Sequence, residues 1–124
     1  MKKADVDFVI THPEGYSLNH HFTAGVTITH NQDEAFANAD FIYAKNWSSY
    51  DDYGKIVSKD PSWTVTPKKM ALTNNAKFMH CLPVRRNMIV SDAVLDSEAS
   101  IVIQQANNRT FAAQAILTKL LDNE

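Results

Sequence analysis

The chain has 124 residues, 44 % of them apolar, and a formal net charge of −2. That length supports one domain around a single modest core, and so small a charge gives no electrostatic reason to expect nucleic acid or an anionic membrane as partner. A single cysteine, Cys81, excludes an intrachain disulfide and fits a reducing compartment.

Met1-Lys2-Lys3-Ala4-Asp5 carries basic residues with no apolar segment behind them, and no apolar run approaches membrane-spanning length. A cytoplasmic protein without a membrane partner is expected. Phe8-Val9-Ile10 is a short continuous apolar run, as suits a strand covered on both faces, and Pro13-Glu14-Gly15-Tyr16 reads as a turn. A weakly patterned stretch from Leu18 to Phe22 precedes a Thr-rich strand, Val26-Thr27-Ile28-Thr29. Asn31 can cap a short helix ending near Asn38, with Asp33 and Glu34 in the first turn, where the dipole favours acidic groups.

Asp40-Phe41-Ile42-Tyr43-Ala44-Lys45-Asn46-Trp47 turns abruptly from apolar to polar and predicts a third strand. Residues 48–59 are polar without helical period, a loop long enough to be functional or mobile. Thr66-Pro67 has the form of an N-cap with proline at the first helical position, for a helix through Leu72 closed by Asn74-Asn75. The central strand, 77–82, follows, then a short helix from Ser91 to Leu95, and Ile101-Val102-Ile103 is expected as the last strand. Asn107 or Asn108 would cap a final helix to about Leu121. Its polar Thr110, Gln114, Thr118 and Asp122 recur at steps of four, leaving Ala113, Ile116, Leu117, Leu120 and Leu121 to pack on the sheet. Strand–helix alternation throughout predicts an α/β fold, Rossmann-like, with a largely parallel sheet flanked by helices.

Three strand ends carry the chemistry: Lys45-Asn46-Trp47, His80 to Arg86, and Gln104 to Arg109. In a parallel sheet such ends lie on one edge, where open α/β folds keep their ligands. Pro83 stops the central strand because it has no N–H for the ladder. The two guanidiniums that follow, Arg85 and Arg86, cannot both be buried cheaply, so at least one meets an anion or solvent. Arg109 would sit in the first turn of the last helix, where the macrodipole disfavours a cation unless an anion shares the site; the plain alternative is an exposed arginine. His80 and Cys81, adjacent on a strand, point to opposite faces, which argues against a Cys–His nucleophile pair. From residue types alone, a ligand site and a strand end with an inert thiol and a solvated basic turn remain open alternatives.

His80-Cys81-Leu82-Pro83, leaving a strand, resembles the signature of the aspartate and ornithine carbamoyltransferase family. Extended through Val84-Arg85-Arg86-Asn87, it most resembles the branch that acts on N-acylated ornithine. The resemblance implies that residues 1–124 are most of the C-terminal, amino-acid-binding domain of a two-domain enzyme, incomplete at the N-terminus and without the carbamoyl-phosphate-binding domain. It implies carbamoyl phosphate and N-acyl-L-ornithine as substrates in arginine biosynthesis, no cofactor or metal, and a homo-oligomer, a trimer, for the complete enzyme.

Roles follow residue by residue from the resemblance. Asn107-Asn108-Arg109 is similar to a C-terminal motif whose arginine holds carbamoyl phosphate. Cys81 and the Leu82 carbonyl would touch the carbamoyl group and the attacking amine, beside His80. Tyr43-Ala44-Lys45-Asn46-Trp47 resembles the N-acylornithine branch, where Lys45 replaces an aspartate that pairs with the α-ammonium of free ornithine. Arg85 resembles a second carboxylate-binding cation, and Arg86 is assigned to structure. Ile89 stands where some acyl-branch members have lysine, closer to the succinyl pattern. The phosphate-binding Ser-x-Arg-Thr segment is absent, so this chain alone is expected to be inactive. The alternatives are a carbamoyltransferase for another amine, such as ornithine, and a non-catalytic anion-binding or assembly module. The family's opening strand would lie between those matching Phe8–Ile10 and Phe41–Ala44. Without it, the chain is expected to pair strands out of family order or to fill the gap from a second copy.

Overall fold

Short apolar strands alternate with equally short, side-chain-capped helices in the computed structural model, which describes residues 5–49 and 60–122. In chain order these are β1 (Val9–Thr11), α1 (His20–Thr23), β2 (Thr27–Thr29), α2 (Gln32–Phe36) and β3 (Phe41–Ala44). A single 3₁₀ turn (Pro61–Trp63), α3 (Pro67–Met70), β4 (Lys77–His80), α4 (Asp92–Leu95) and α5 (Val102–Leu121) follow. The polar loop expected over 48–59 lies, beyond Ser49, outside the described residues.

The caps anticipated from sequence form. Asn31 Oδ1 accepts the Glu34 N–H at 3.3 Å and starts α2, while Thr66 Oγ1 accepts the Lys69 N–H at 3.4 Å, with Pro67 opening α3. Helix α3 stops at Met70, short of Leu72. Asn38 and Asn75 supply the left-handed turns (φ 59° and 51°) through which the chain enters β3 and β4, a conformation asparagine tolerates better than most residues.

Both strand pairs are parallel: β1 with β2 (Ile10 opposite Ile28) and β3 with β4 (Ile42 opposite Phe78, Ala44 opposite His80). The α/β class and the parallel pairing are as the sequence predicts, but the sheet is split into two pairs. Among the described residues no ladder joins β1 to β3; instead a cleft of about 230 Å³ opens between them, lined by Ile10 to Pro13 on one side and Ile42 to Ser48 on the other.

The core gathers on β4. Phe78, fully buried, lies in a cluster with Phe36, Ile42, Val65, Ala76, Val90, Val94, Leu95 and Val102. Burying one such side chain contributes roughly 1.5–3 kcal/mol.

The expected last strand, Ile101–Ile103, does not form. Pairing to β4 is limited to a bridge, with Phe78 N–H donating to Ala99 O (2.8 Å) and Ile101 N–H to Phe78 O (2.9 Å). The Ile101 carbonyl then accepts from Gln105 N at 2.8 Å, and the chain is helical from Val102. Beyond the bridge only Met79 and His80 of β4 remain as possible partners, and Gln104-Gln105-Ala106 are good helix formers, which favours the helix. Helix α5 therefore begins several residues before Asn107 or Asn108, and neither caps it. It runs 20 residues, and its only buried residue is Val102. The apolar stripe expected on the sheet is bare, with Ile116, Leu117, Leu120 and Leu121 each about 60–70 % exposed.

Candidate active site at the strand ends

The register of β3 on β4 sets the site. With Ala44 opposite His80, the next residues, Lys45 and Cys81, leave adjacent parallel strands at the same level. A side chain then ties the two ends: Asn46 Nδ2 donates to the Pro83 carbonyl at 2.8 Å. The sequence gives Asn46 no role of its own beyond its place in the strand end Lys45-Asn46-Trp47. Its signal is only that of a polar residue following a strand, which many surface residues share. The Asn46 Oδ1 atom is buried and has no hydrogen-bond partner among the described residues.

Between His80 and Arg86 the chain turns sharply. Leu82 has φ 46° and its peptide bond to Pro83 is cis. The His80 ring faces inward, on the same side of β4 as Phe78, and is fully buried. Its Nδ1 accepts the Leu82 N–H at 3.0 Å, which in the neutral ring leaves the proton on Nε2. Cys81 is exposed, on the opposite face from His80, so the two do not form a nucleophile–base pair.

The two arginines part company. Arg86 is engaged by α4: Nη1 and Nη2 reach Asp96 at 2.8 and 2.7 Å, and Nη1 also reaches Asp92 at 2.6 Å. Asn87 Nδ2 donates to the same Asp92, and its Oδ1 accepts the Asp92 N–H. These bonds hold both carboxyls below the usual range, most strongly through the Arg86 contacts, and raise the Arg86 pKa. Arg86 is a structural clamp, as expected. Arg85 is exposed and forms no ion pair among the described residues, while its carbonyl accepts from Ile89 N at 3.0 Å and so turns the backbone. Lys45, also exposed, lines the cleft between β1 and β3, where Trp47 lies 6.3 Å from Tyr16, centroid to centroid. Cys81, Leu82 and Arg85 do not line that cleft, so it reaches the strand ends from the lysine side.

Arg109 departs from expectation. It is the eighth residue of α5 rather than a first-turn residue, and the shallow hollow beside it is formed by α5 alone, from Ala106 to Leu117. The macrodipole argument therefore lapses, because that field fades within the first turn. The structure brings Lys45, His80, Cys81, Leu82 and Arg85 to one edge and leaves Arg109 outside that group. Among the described residues no three His, Cys, Asp or Glu side chains converge as metal ligands, and no helix is long and apolar enough to cross a membrane.

Burial lowers the His80 pKa from its ordinary value of 6.5. Between that value and the lower folded one, the unfolded chain binds a proton that the folded chain excludes. This share of stability is whole above about pH 6.5 and is lost as pH falls through the folded pKa. Asp92 and Asp96 titrate in a more acid window, so urea midpoints measured from about pH 7.5 to about pH 5.5 are expected to fall with acid and His80→Phe to lessen the slope.

The model of the Asp/Orn-binding domain of aspartate/ornithine carbamoyltransferases matches residues 1–120. The chain is 56 % identical over 124 residues to the N-succinylornithine carbamoyltransferase of Bacteroides thetaiotaomicron, covering 98 % of this chain and 39 % of that protein. It is 41 % identical over 100 residues to the N-acetylornithine carbamoyltransferase of Xanthomonas campestris, covering 76 % of this chain and 30 % of the relative. An acetylornithine transcarbamylase solved in complex with acetylcitrulline superimposes with a TM-score of 0.80 at 34 % identity, over 92 % of this chain and 40 % of that one. The chain thus spans about two fifths of the length of such relatives. It belongs to the aspartate/ornithine carbamoyltransferase family, matching its Asp/Orn-binding domain.

Proposed function

We propose that the chain is the C-terminal, amino-acid-binding part of an enzyme that transfers the carbamoyl group of carbamoyl phosphate to the δ-amine of an N-acyl-L-ornithine. The observation that carries this reading is the pairing of β3 with β4, which sets Lys45 level with Cys81 at one sheet edge. Acylation turns the α-ammonium of ornithine into a neutral amide. An aspartate at position 45 would then lose its partner and repel the α-carboxylate, whereas a lysine attracts it. The likeness to N-succinylornithine and N-acetylornithine carbamoyltransferases supports the same substrate class.

In this reading the δ-nitrogen attacks the carbamoyl carbon. The N–C bond forms, the C–O bond to phosphate breaks through a tetrahedral intermediate, and the departing phosphate takes up the proton the nitrogen loses. Lys45 and Arg85 hold the substrate carboxylates, and the exposed Cys81 and the Leu82 carbonyl orient the amine and carbamoyl group. Arg109, which the resemblance alone assigns and which lies outside the group at the sheet edge, is given the charge on carbamoyl phosphate in the complete enzyme. His80 belongs to the same substrate-binding edge. The other carbamoyl phosphate ligands come from a domain outside this chain, the complete enzyme is a cytoplasmic homotrimer, and the pathway is arginine biosynthesis.

Two assays test this. The purified chain is expected to form no citrulline-type product above background, since phosphoryl binding needs several convergent donors. The complete protein is expected to turn over N-succinyl- or N-acetylornithine in preference to ornithine. Preference for free ornithine would overturn the substrate assignment.

A further inference from the structure

The ring of the buried histidine at the strand-end turn has one hydrogen bond among the described residues, and that bond is to the backbone of a residue assigned to the reacting centre. Leu82 N–H donates to His80 Nδ1 at 3.0 Å. Leu82 itself stands at φ 46°, a region a leucine side chain visits rarely and holds only where its surroundings fix it. The ring is fully buried, so it does not reach a ligand arriving at the exposed Cys81 side. Its Nε2 is buried with no partner among the described residues. A purely space-filling residue at this position would be better apolar, because an orphaned buried donor is a liability. What an apolar side chain could not supply is the acceptor at Nδ1.

We propose that His80 is a positioning residue that uses Nδ1 to fix the Cys81–Leu82 peptide plane and, through the constrained Leu82 backbone, to aim the Leu82 carbonyl in the next plane at the incoming amine. The inference rests on the proposed carbamoyl transfer for the use of that carbonyl, but not for the bond itself. The neutral Nε2–H tautomer is the working form. Asn46, donating to the Pro83 carbonyl from β3, braces the turn one residue further on, so the backbone at Leu82 is held from both sides.

The test has two arms. In the chain with His80 intact, NMR is expected to find the Nε2–H tautomer and a nitrogen–nitrogen coupling across the Leu82 N–H to Nδ1 bond. In the complete enzyme, His80→Asn sets an amide oxygen near the position of Nδ1 and is expected to keep kcat within about fivefold. His80→Gln offers its polar atoms one bond too far out, and His80→Phe offers none. Both are expected to lower kcat about 10- to 100-fold, as small misplacements near reacting atoms do. KM for N-acylornithine should move less than about threefold in both, because the carboxylate contacts of Lys45 and Arg85 are untouched. An Nδ1–H tautomer would overturn the proposal without mutation. So would activity retained by Gln or Phe and lost by Asn, which would point to the distal nitrogen or to packing. An intact protein that does not carbamoylate N-acylornithine would instead overturn the proposed function, leaving the tautomer measurement to decide the bond.

Discussion

Lys45→Asp in the complete enzyme is expected to lower kcat/KM for N-acylornithine by at least about 10- to 150-fold. A charge-assisted contact contributes about 1.5–3 kcal/mol, and the new carboxylate adds repulsion to the loss. The direction follows from the substrate's charges rather than from packing, because Lys45 is exposed and its loss leaves no cavity. The same variant should gain on free ornithine, whose α-ammonium would meet the new aspartate. The effect should shrink in high salt, as expected for partly solvated charges. Kinetics with both substrates at two ionic strengths check this, and an unchanged kcat/KM for N-acylornithine would remove Lys45 from the carboxylate site.

Phe78→Ala is expected to cost about 3–5 kcal/mol, the range for deleting a fully buried aromatic side chain. A domain of this size has only about 5–15 kcal/mol in total. The residue is 0 % exposed and sits among Ile42, Val90, Val94 and Val102, so the cavity has strands on one side and helices on the other and can collapse little. Urea unfolding should show a large drop in midpoint with the slope kept. Phe111→Ala is the control. That ring is 62 % exposed on α5, and its removal should change stability by no more than about 0.5 kcal/mol. A comparable loss from both would mean that α5 is packed in solution.

Where the chain's instructions are local, the sequence is a sufficient guide. Asn31 and Thr66 cap helices through their own side chains, Pro67 enters α3 where its missing N–H costs nothing, and the apolar run ending at His80 forms a strand. The residue types of 80–86 by themselves leave a ligand site and a solvated basic turn equally open; it is the order His80-Cys81-Leu82-Pro83 that made the family legible. Ile101-Val102-Ile103 misleads because β-branching expresses a preference that only a neighbouring strand can reward. Here β4 extends only two residues past the bridge at Phe78, and the glutamines and alanine downstream favour helix. Arg109 is displaced from a helix start by the same shift. The inward turn of His80 and the reach of Asn46 to Pro83 depend on which face of β4 is covered and on the register of β3, which one strand's residues do not encode.

The split between the two strand pairs carries a consequence for how the molecule breathes. The central apolar cluster draws on α2, β3, β4, α4 and α5 but on no residue of β1 or β2. The first pair is held to the rest mainly through α2, whose Gln32 donates to the Trp63 carbonyl at 3.1 Å and accepts from Lys69. Val9 and Ile28 are each more than two fifths exposed, so little apolar area is lost if this pair lets go. The opening free energy of β1 and β2 is therefore expected to be a fraction of the global one, with their amides exchanging well before those of β4. Lys45, beyond β3, lines the same cleft as Thr11 and His12, at the end of β1. The cleft wall opposite the lysine is thus expected to remodel more readily than the lysine's own, leaving the turn at His80 to Pro83 undisturbed.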